Sequence, residues 1–203
     1  LVLGRNPATY VGVDRDPVSA ERVAHVVNGP GRSVVNASAA DTGLPEASAD
    51  VVFGEANLTM QPASRKAKIM EELARVVRPG GRIGLHEVCF APDDLDQERC
   101  GAIADDLQRT IKVNVTPLSL RGWTELLNEA GFDVDTTVTN PLHLLEPRRL
   151  IADEGALGAA RFVSRVARDS QARARVLAMR AAMHDNADHL QACVVTATRR
   201  SPN

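Results

Sequence analysis

Three acids and a histidine define the chemistry open to this chain. Asp14 closes the run Tyr10-Val11-Gly12-Val13-Asp14, Glu55 closes Val51-Val52-Phe53-Gly54-Glu55, and His86-Glu87 follows Ile83-Gly84-Leu85. Each stands where a short apolar run gives out, and open α/β sheets bind their ligands at the carboxyl ends of strands. A histidine there can remove a proton at neutral pH, because its unperturbed pKa is about 6.5. Asn57, in Glu55-Ala56-Asn57-Leu58-Thr59-Met60, is placed to orient a ligand. Each has a plainer alternative: Asp14 as a cap, Asn57 as a loop amide, His86 as a satisfied core histidine. Asp41, in Ala39-Ala40-Asp41-Thr42-Gly43, reads first as a turn aspartate bonding its own backbone.

The elements that must position these groups follow from periodicity. Val51-Val52-Phe53 is short, β-branched and without a polar alternate, the pattern of a strand covered on both faces. From Ser64 to Val77, Met70, Leu73, Ala74 and Val77 recur at i, i+3, i+4 and i+7 and predict a helix with one apolar stripe, Ser64 being a plausible cap. Pro79-Gly80-Gly81 stops it. Ile83 to Val88 then reads as a second strand ending at Glu87, and a right-handed β-α-β crossover joins the two. Upstream, Tyr10 to Asp14 predicts a strand. Asp16 and Pro17 cap and open a helix that carries Ala20, Val23, Ala24 and Val27 on one face. Ser33 to Asn36 is another short strand.

Asp50-Val51-Val52 running to a strand-end acid, the leader Leu44-Pro45-Glu46-Ala47-Ser48-Ala49-Asp50, and Leu73-x-x-Val76-Val77-Arg78-Pro79-Gly80-Gly81 form an ordered set. This set resembles the fourth and fifth strands of class I S-adenosylmethionine-dependent methyltransferases, over roughly residues 1 to 135. The resemblance implies a three-layer Rossmann-like α/β sheet, mostly parallel with an antiparallel last strand. It implies S-adenosylmethionine as cofactor and S-adenosylhomocysteine as product. In that reading Asp14, with Arg15 beside it, takes the ribose hydroxyls. Asp41, or backbone near Ala40, takes the adenine amino group, although Asp41 stands a residue closer to Leu44-Pro45 than the family's acid does. Glu55 and Ala56 line the cofactor, and Glu55, His86 and Glu87 are the candidate bases. The family's first strand and glycine-rich loop are not found before Tyr10, and Leu1-Val2-Leu3-Gly4 reads as the tail of the helix that follows that loop. The expectation is that about forty or fifty residues precede Leu1, from ordinary element sizes.

Further along, residues 91–118 and 141–190 read as helical insertions in a single domain spanning 1–203, forming a cap over the carboxyl edge of the sheet. Gln97 to Lys112 carries Ile103, Leu107 and Ile111. Ser119 caps a helix with Trp123, Leu126, Leu127 and Ala130, and Phe132 to Thr137 is a strand. Within 141–190, one helix carries Leu150, Leu157, Phe162 and Val166, and a second carries Val176, Met179, Ala182 and Met183. Leu142, His143, Leu144 and Leu145 are expected to face inward. Ala192 to Thr198 closes the sheet.

Composition narrows the functions. A 203-residue chain with 44% hydrophobic and 25% charged residues is an ordinary globular protein. A net charge of −2 offers no basic footprint for nucleic acid and no polybasic surface for a membrane. The three cysteines lack paired ligand spacing, so a metal site is not expected, and a cytoplasmic setting is the default. A small organic molecule is the expected acceptor. A protein side chain, or a non-catalytic dimeric scaffold, is the alternative, and a homodimer is the partner expectation.

Overall fold

The computed structural model describes residues 3–142 and 168–201, with positions 155, 158, 164 and 166 between them. Leu3–Arg5 is a single 3₁₀ turn. Strand β1 (Tyr10–Asp14) leads into helix α1 (Pro17–Val27), where Asp16 accepts from the Val18 N–H and Pro17 takes the first turn. Both cap residues do what their types predict. Then follow β2 (Arg32–Asn36), β3 (Ala49–Glu55), α2 (Ala63–Val76) and β4 (Val77–Phe90). Helix α3 (Gln97–Ile111) is capped by Asp96, and the short β5 (Leu118–Ser119) runs into α4 (Leu120–Glu129), capped by Ser119. Last come β6 (Phe132–Pro141), α5 (Ser170–Asp185) and β7 (Leu190–Arg199).

The described strands form two sheets. β1 pairs β2 in parallel, Asp14 opposite Asn36. The larger sheet has the order β3-β4-β7-β6, with β5 on the far end of β4. β3 and β4 are parallel, and β7 is antiparallel to both its neighbours. This is the mostly parallel α/β sheet with an antiparallel last strand. β1 and β3 do not pair with each other, so each keeps one edge unpaired among the described residues.

The main core lies between one face of the larger sheet and helices α2 and α4. It contains Leu58, Ile69, Met70, Ile83, Leu85, Trp123, Leu127, Phe132, Val195 and Ala197. A second cluster joins α3, α5 and the end of β4 through Phe90, Ile103, Leu107, Val115, Ala182 and Leu190, with Leu142 and Met183 packed on it. The two segments expected to insert therefore meet. His143, Leu144, Leu145, Leu150, Leu157 and Phe162 lie outside the described residues.

Three expectations change. Val51 and Phe53 are 62% and 48% exposed, so β3 is covered on one face only. Helix α2 starts after Pro62, which caps it without a side-chain bond, and not at Ser64. β4 begins at Val77 and runs to Phe90, so Glu87 sits three residues inside the strand. Non-local pairing draws the Arg78-Pro79-Gly80-Gly81 turn into β4, with Ala49 opposite Val77. Gly81 is obligatory there: a Cβ would stand 2.8 Å from the Arg78 carbonyl oxygen and 2.8 Å from Val77 Cγ1.

Candidate functional site along the carboxyl edge

Asp14 ends β1 at the carboxyl edge of the smaller sheet. Its Oδ1 accepts from the Asp16 N–H at 2.9 Å, and its carbonyl accepts from Asn36 Nδ2 at 2.9 Å and from the Ala37 N–H at 3.1 Å. Oδ2 has no partner among the described residues, so the carboxylate is held from behind and open in front. That fits a group presenting hydroxyl donors. Arg15 beside it is exposed.

The loop after β2 is folded tightly on itself. Ser38 Oγ accepts from the Ala40 N–H at 3.1 Å and from Arg65 Nη2 at 3.2 Å, which ties this loop to α2. Ala39 and Ala40 pack on the cluster that holds Leu58, bringing the loops after β2 and β3 together. The Ala40 N–H is thus already used. Asp41 is exposed and its carboxylate accepts no hydrogen bond among the described residues, so of the two it is the one free to accept from an amino group.

Next along, Glu72 from α2 accepts from the Thr42 N–H at 2.8 Å and from its hydroxyl, and pairs with Arg75 at 2.7 Å. The Arg75 guanidinium, with Thr42 adding to it, holds the Glu72 carboxyl at about 2. This network anchors the loop that carries Asp41.

At the end of β3, Glu55 stands opposite His86, with His86 Nδ1 and Glu55 Oε1 3.6 Å apart and both side chains exposed. Ala56 turns the chain in a left-handed conformation, φ 49°, and its N–H donates to the His86 carbonyl at 2.8 Å. Glu55, Ala56 and His86 therefore form one group.

Glu87 does not join them. Alternation along β4 sends it to the opposite face, where it is 3% exposed. One carboxylate oxygen accepts from the Leu58 N–H at 2.9 Å; the other accepts from the Thr59 N–H at 2.9 Å and the Thr59 hydroxyl at 2.6 Å. Those bonds commit it to the loop after β3, and the expectation that it shares a site with Glu55 and His86 is not met by the geometry.

Sequence reasoning missed Lys66, Thr59 and Thr116. Lys66 is 2% exposed, and its ammonium donates to the carbonyls of Gln61 and Thr116 and to the Thr116 hydroxyl at 2.6–2.7 Å. One signal was present: Lys66 precedes Ile69 and Met70 by three and four residues, which puts it on the buried stripe. Among the described residues no group of three or more His, Cys, Asp or Glu could hold a metal ion, and no helix is long and apolar enough to cross a membrane.

Residues 1–85 match a family described as Methyltransferase domain. An uncharacterized protein of Haemophilus influenzae is 33% identical over 130 residues, covering 64% of this chain and 50% of that protein. The chain thus spans about half the length of the curated relative it matches. Three solved structures share the fold. A sarcosine dimethylglycine methyltransferase of Galdieria sulphuraria, so described provisionally, has a TM-score of 0.70 at 18% identity, covering 95% of this chain and 70% of that one. A [4+2]-cyclase, SpnF, has 0.70 at 16%, covering 99% and 70%. A phosphoethanolamine N-methyltransferase of Haemonchus contortus, in complex with phosphomonomethylethanolamine and S-adenosylhomocysteine, has 0.63 at 15%, covering 94% and 43%. The match over residues 1–85 lies where the Leu-Pro and Arg-Pro-Gly-Gly motifs stand, and the solved structures share the α/β fold over nearly the whole chain.

Proposed function

We propose that the protein transfers a methyl group from S-adenosylmethionine to a small organic acceptor by in-line displacement. The observation that carries the small-acceptor reading is the second core. α3 and α5 close over the far end of β4 through Phe90, Ile103, Leu107, Val115, Ala182 and Leu190, as a cover built beside a cofactor edge would. Two of the methyltransferases that share the fold are named for small acceptors or bind one.

When bound, the cofactor supplies a methyl on a positively charged sulfur that leaves as a neutral thioether. Asp14 accepts ribose hydroxyls through Oδ2 and the spare lone pair of Oδ1. Asp41 accepts the adenine amino group, while Arg15, Ala40 and Ala56 border the same edge. Glu55 and Asn57 orient the reacting ends. Where the acceptor must lose a proton, His86 takes it, with the Glu55 carboxylate beside the ring. With that methyl supplied, the protein's own contribution would be to hold the acceptor's nucleophilic atom in line with it and to exclude water. Cys89, Cys100 and Cys193 are all free thiols, which supports a cytoplasmic setting.

A protein acceptor would call for an open acidic or aromatic groove, and an aromatic content of 3% weighs against it. The non-catalytic dimer has one observation in its favour, the exposed apolar side chains of Val51, Phe53, Val138 and Val194. Calorimetry with S-adenosylhomocysteine separates the readings. Asp14→Asn should weaken binding about ten- to a hundredfold, the scale of a hydrogen bond to a charged group. Unchanged affinity would remove Asp14 from the site, and a dimer that takes up no S-adenosylhomocysteine would favour the scaffold.

A further inference from the structure

The segment after β3 is fastened by two buried charges arriving from different elements. Glu87, on β4, holds the Leu58 and Thr59 N–H groups and the Thr59 hydroxyl. Lys66, on α2, holds the Gln61 carbonyl at 2.6 Å, the Thr116 carbonyl at 2.7 Å and the Thr116 hydroxyl at 2.6 Å. Thr116 closes the joint: its N–H donates to the Thr59 carbonyl at 2.8 Å, and its hydroxyl to the Gln61 carbonyl at 2.6 Å. The ammonium also lies 5.7 Å from the centre of the Trp123 ring. Burial lowers the pKa of Lys66 to about 8, with the Glu87 carboxylate opposing that shift.

A buried ammonium is a poor way to fill a core, since a well-packed apolar side chain of similar volume is often at least as stable. Methionine at 66 would simply extend the stripe of Ile69, Met70 and Ala74. What a methionine would not do is bind acceptors on two segments, at Gln61 and Thr116, that lie 55 residues apart in sequence. Those segments are the loop leading from Glu55 and the stretch 112–118 leading from α3. Two residues before Thr116, the buried Nδ2 of Asn114 has no hydrogen-bond partner, so the cover carries a spare donor next to the joint.

We propose that Lys66, together with Glu87, is a positioning residue that locks the loop Leu58–Gln61 to the cover at 112–118. The lock keeps the cofactor side and the acceptor side of the site at a fixed spacing. Methyl transfer is sensitive to such spacing, because a misplacement of about 1 Å can cost about a hundredfold in rate. The proposal rests on the methyltransferase reading above.

Lys66→Met deletes the ammonium and keeps the stem; Thr116→Val deletes only the hydroxyl. Both are to be followed in the full-length protein by hydrogen–deuterium exchange and by calorimetry with S-adenosylhomocysteine. In Lys66→Met the amides of Leu58, Thr59 and Thr116 should exchange faster together while those of β7 hold. Affinity should fall about tenfold, or about 1.4 kcal/mol. Thr116→Val should move both readouts in the same direction by less, and it carries the decision alone if Lys66→Met does not fold. A lowered melting temperature with unchanged affinity would mark Lys66 as merely structural and overturn the proposal. So would loosening of one segment without the other. If the unaltered protein takes up no S-adenosylhomocysteine, the cofactor reading fails by itself, and the paired exchange still decides whether Lys66 joins the segments.

Discussion

The two faces of the larger sheet are made from alternate residues of the same strands, yet their surroundings are opposite. Ile83, Leu85, Glu87, Cys89, Cys193, Val195 and Ala197 are buried on the side of α2 and α4. Val51, Phe53, His86, Val138 and Val194 point the other way and are exposed. Since a strand's side chains alternate, neighbours such as His86 and Glu87 are separated by the whole thickness of the sheet. Residue type does not reveal the division: valine occurs on both faces, and the acid is inside while the histidine is outside. What divides them is whether a helix lies above.

The largest effect should come from the centre of the packed face. Trp123 is fully buried in α4 and donates from Nε1 to the Val88 carbonyl at 3.0 Å. Trp123→Ala should cost about 3–5 kcal/mol from lost burial and the cavity left behind. It also strips the aromatic face from beside Lys66. Urea unfolding checks this, and a loss within about 0.5 kcal/mol, the range of an ordinary surface change, would mean the helix is not seated as described.

Glu87 and His86 offer the sharpest contrast, being adjacent. Glu87→Gln keeps the size but turns one acceptor oxygen into a donor facing Leu58 or Thr59, a loss of about 1–3 kcal/mol for a buried group left unpaired. His86→Ala, on the open face, should stay within about 0.5 kcal/mol. Equal losses at the two positions would dissolve the distinction between the faces.

Much of this architecture was legible because its signals are local. Asp16-Pro17 and Ser119 mark helix starts, the spacing of Met70, Leu73 and Ala74 marks a buried stripe, and Asp14 and Glu55 end strands where the apolar runs give out. What stayed hidden depends on contacts distant in sequence. β4 extends through Pro79-Gly80-Gly81 because β3 pairs with its start, and to Phe90 because Leu190 pairs with its end. The role of Lys66 stayed hidden because Thr116, fifty residues on, supplies two of its acceptors. Glu87 looked like a strand-end acid because nothing in the chain around it announces the Leu58 and Thr59 amides.

Titration gives an effect of intermediate size. Glu72 has a folded-state pKa of about 2 against an ordinary 4.5, chiefly through its hydrogen bond to Arg75. A depressed carboxyl stabilises fully above the unfolded value and loses that contribution as pH falls from about 4.5 toward 2. Lys66, lowered from 10.5 to about 8, works in another window: between these values the unfolded chain binds more protons, so stability rises with pH. Urea midpoints across pH should therefore lose part of their acid-side slope in Glu72→Gln and part of their alkaline-side rise in Lys66→Met. Unaltered slopes would show that neither group is held as the structure has it.

The smallest effect belongs to the open face. Val51 on β3 leaves most of its area in water and Phe53 about half, and Val138 and Val194 are paired directly across β6 and β7. Val51→Thr keeps β-branching, and therefore strand preference, while adding a hydroxyl that solvent can satisfy. Its cost should fall within about 0.5 kcal/mol. Phe53→Thr should cost little more, since only the buried half of the ring loses its surroundings. The counterpart on the packed face is Ile83→Thr, where the hydroxyl enters the main core and the same chemical change should cost several times as much. Melting temperatures at two protein concentrations decide the matter. If Val51→Thr proves as damaging as Ile83→Thr, the face is covered in solution. Concentration dependence would then assign the cover to a second copy of the chain, and its absence to another part of the same polypeptide.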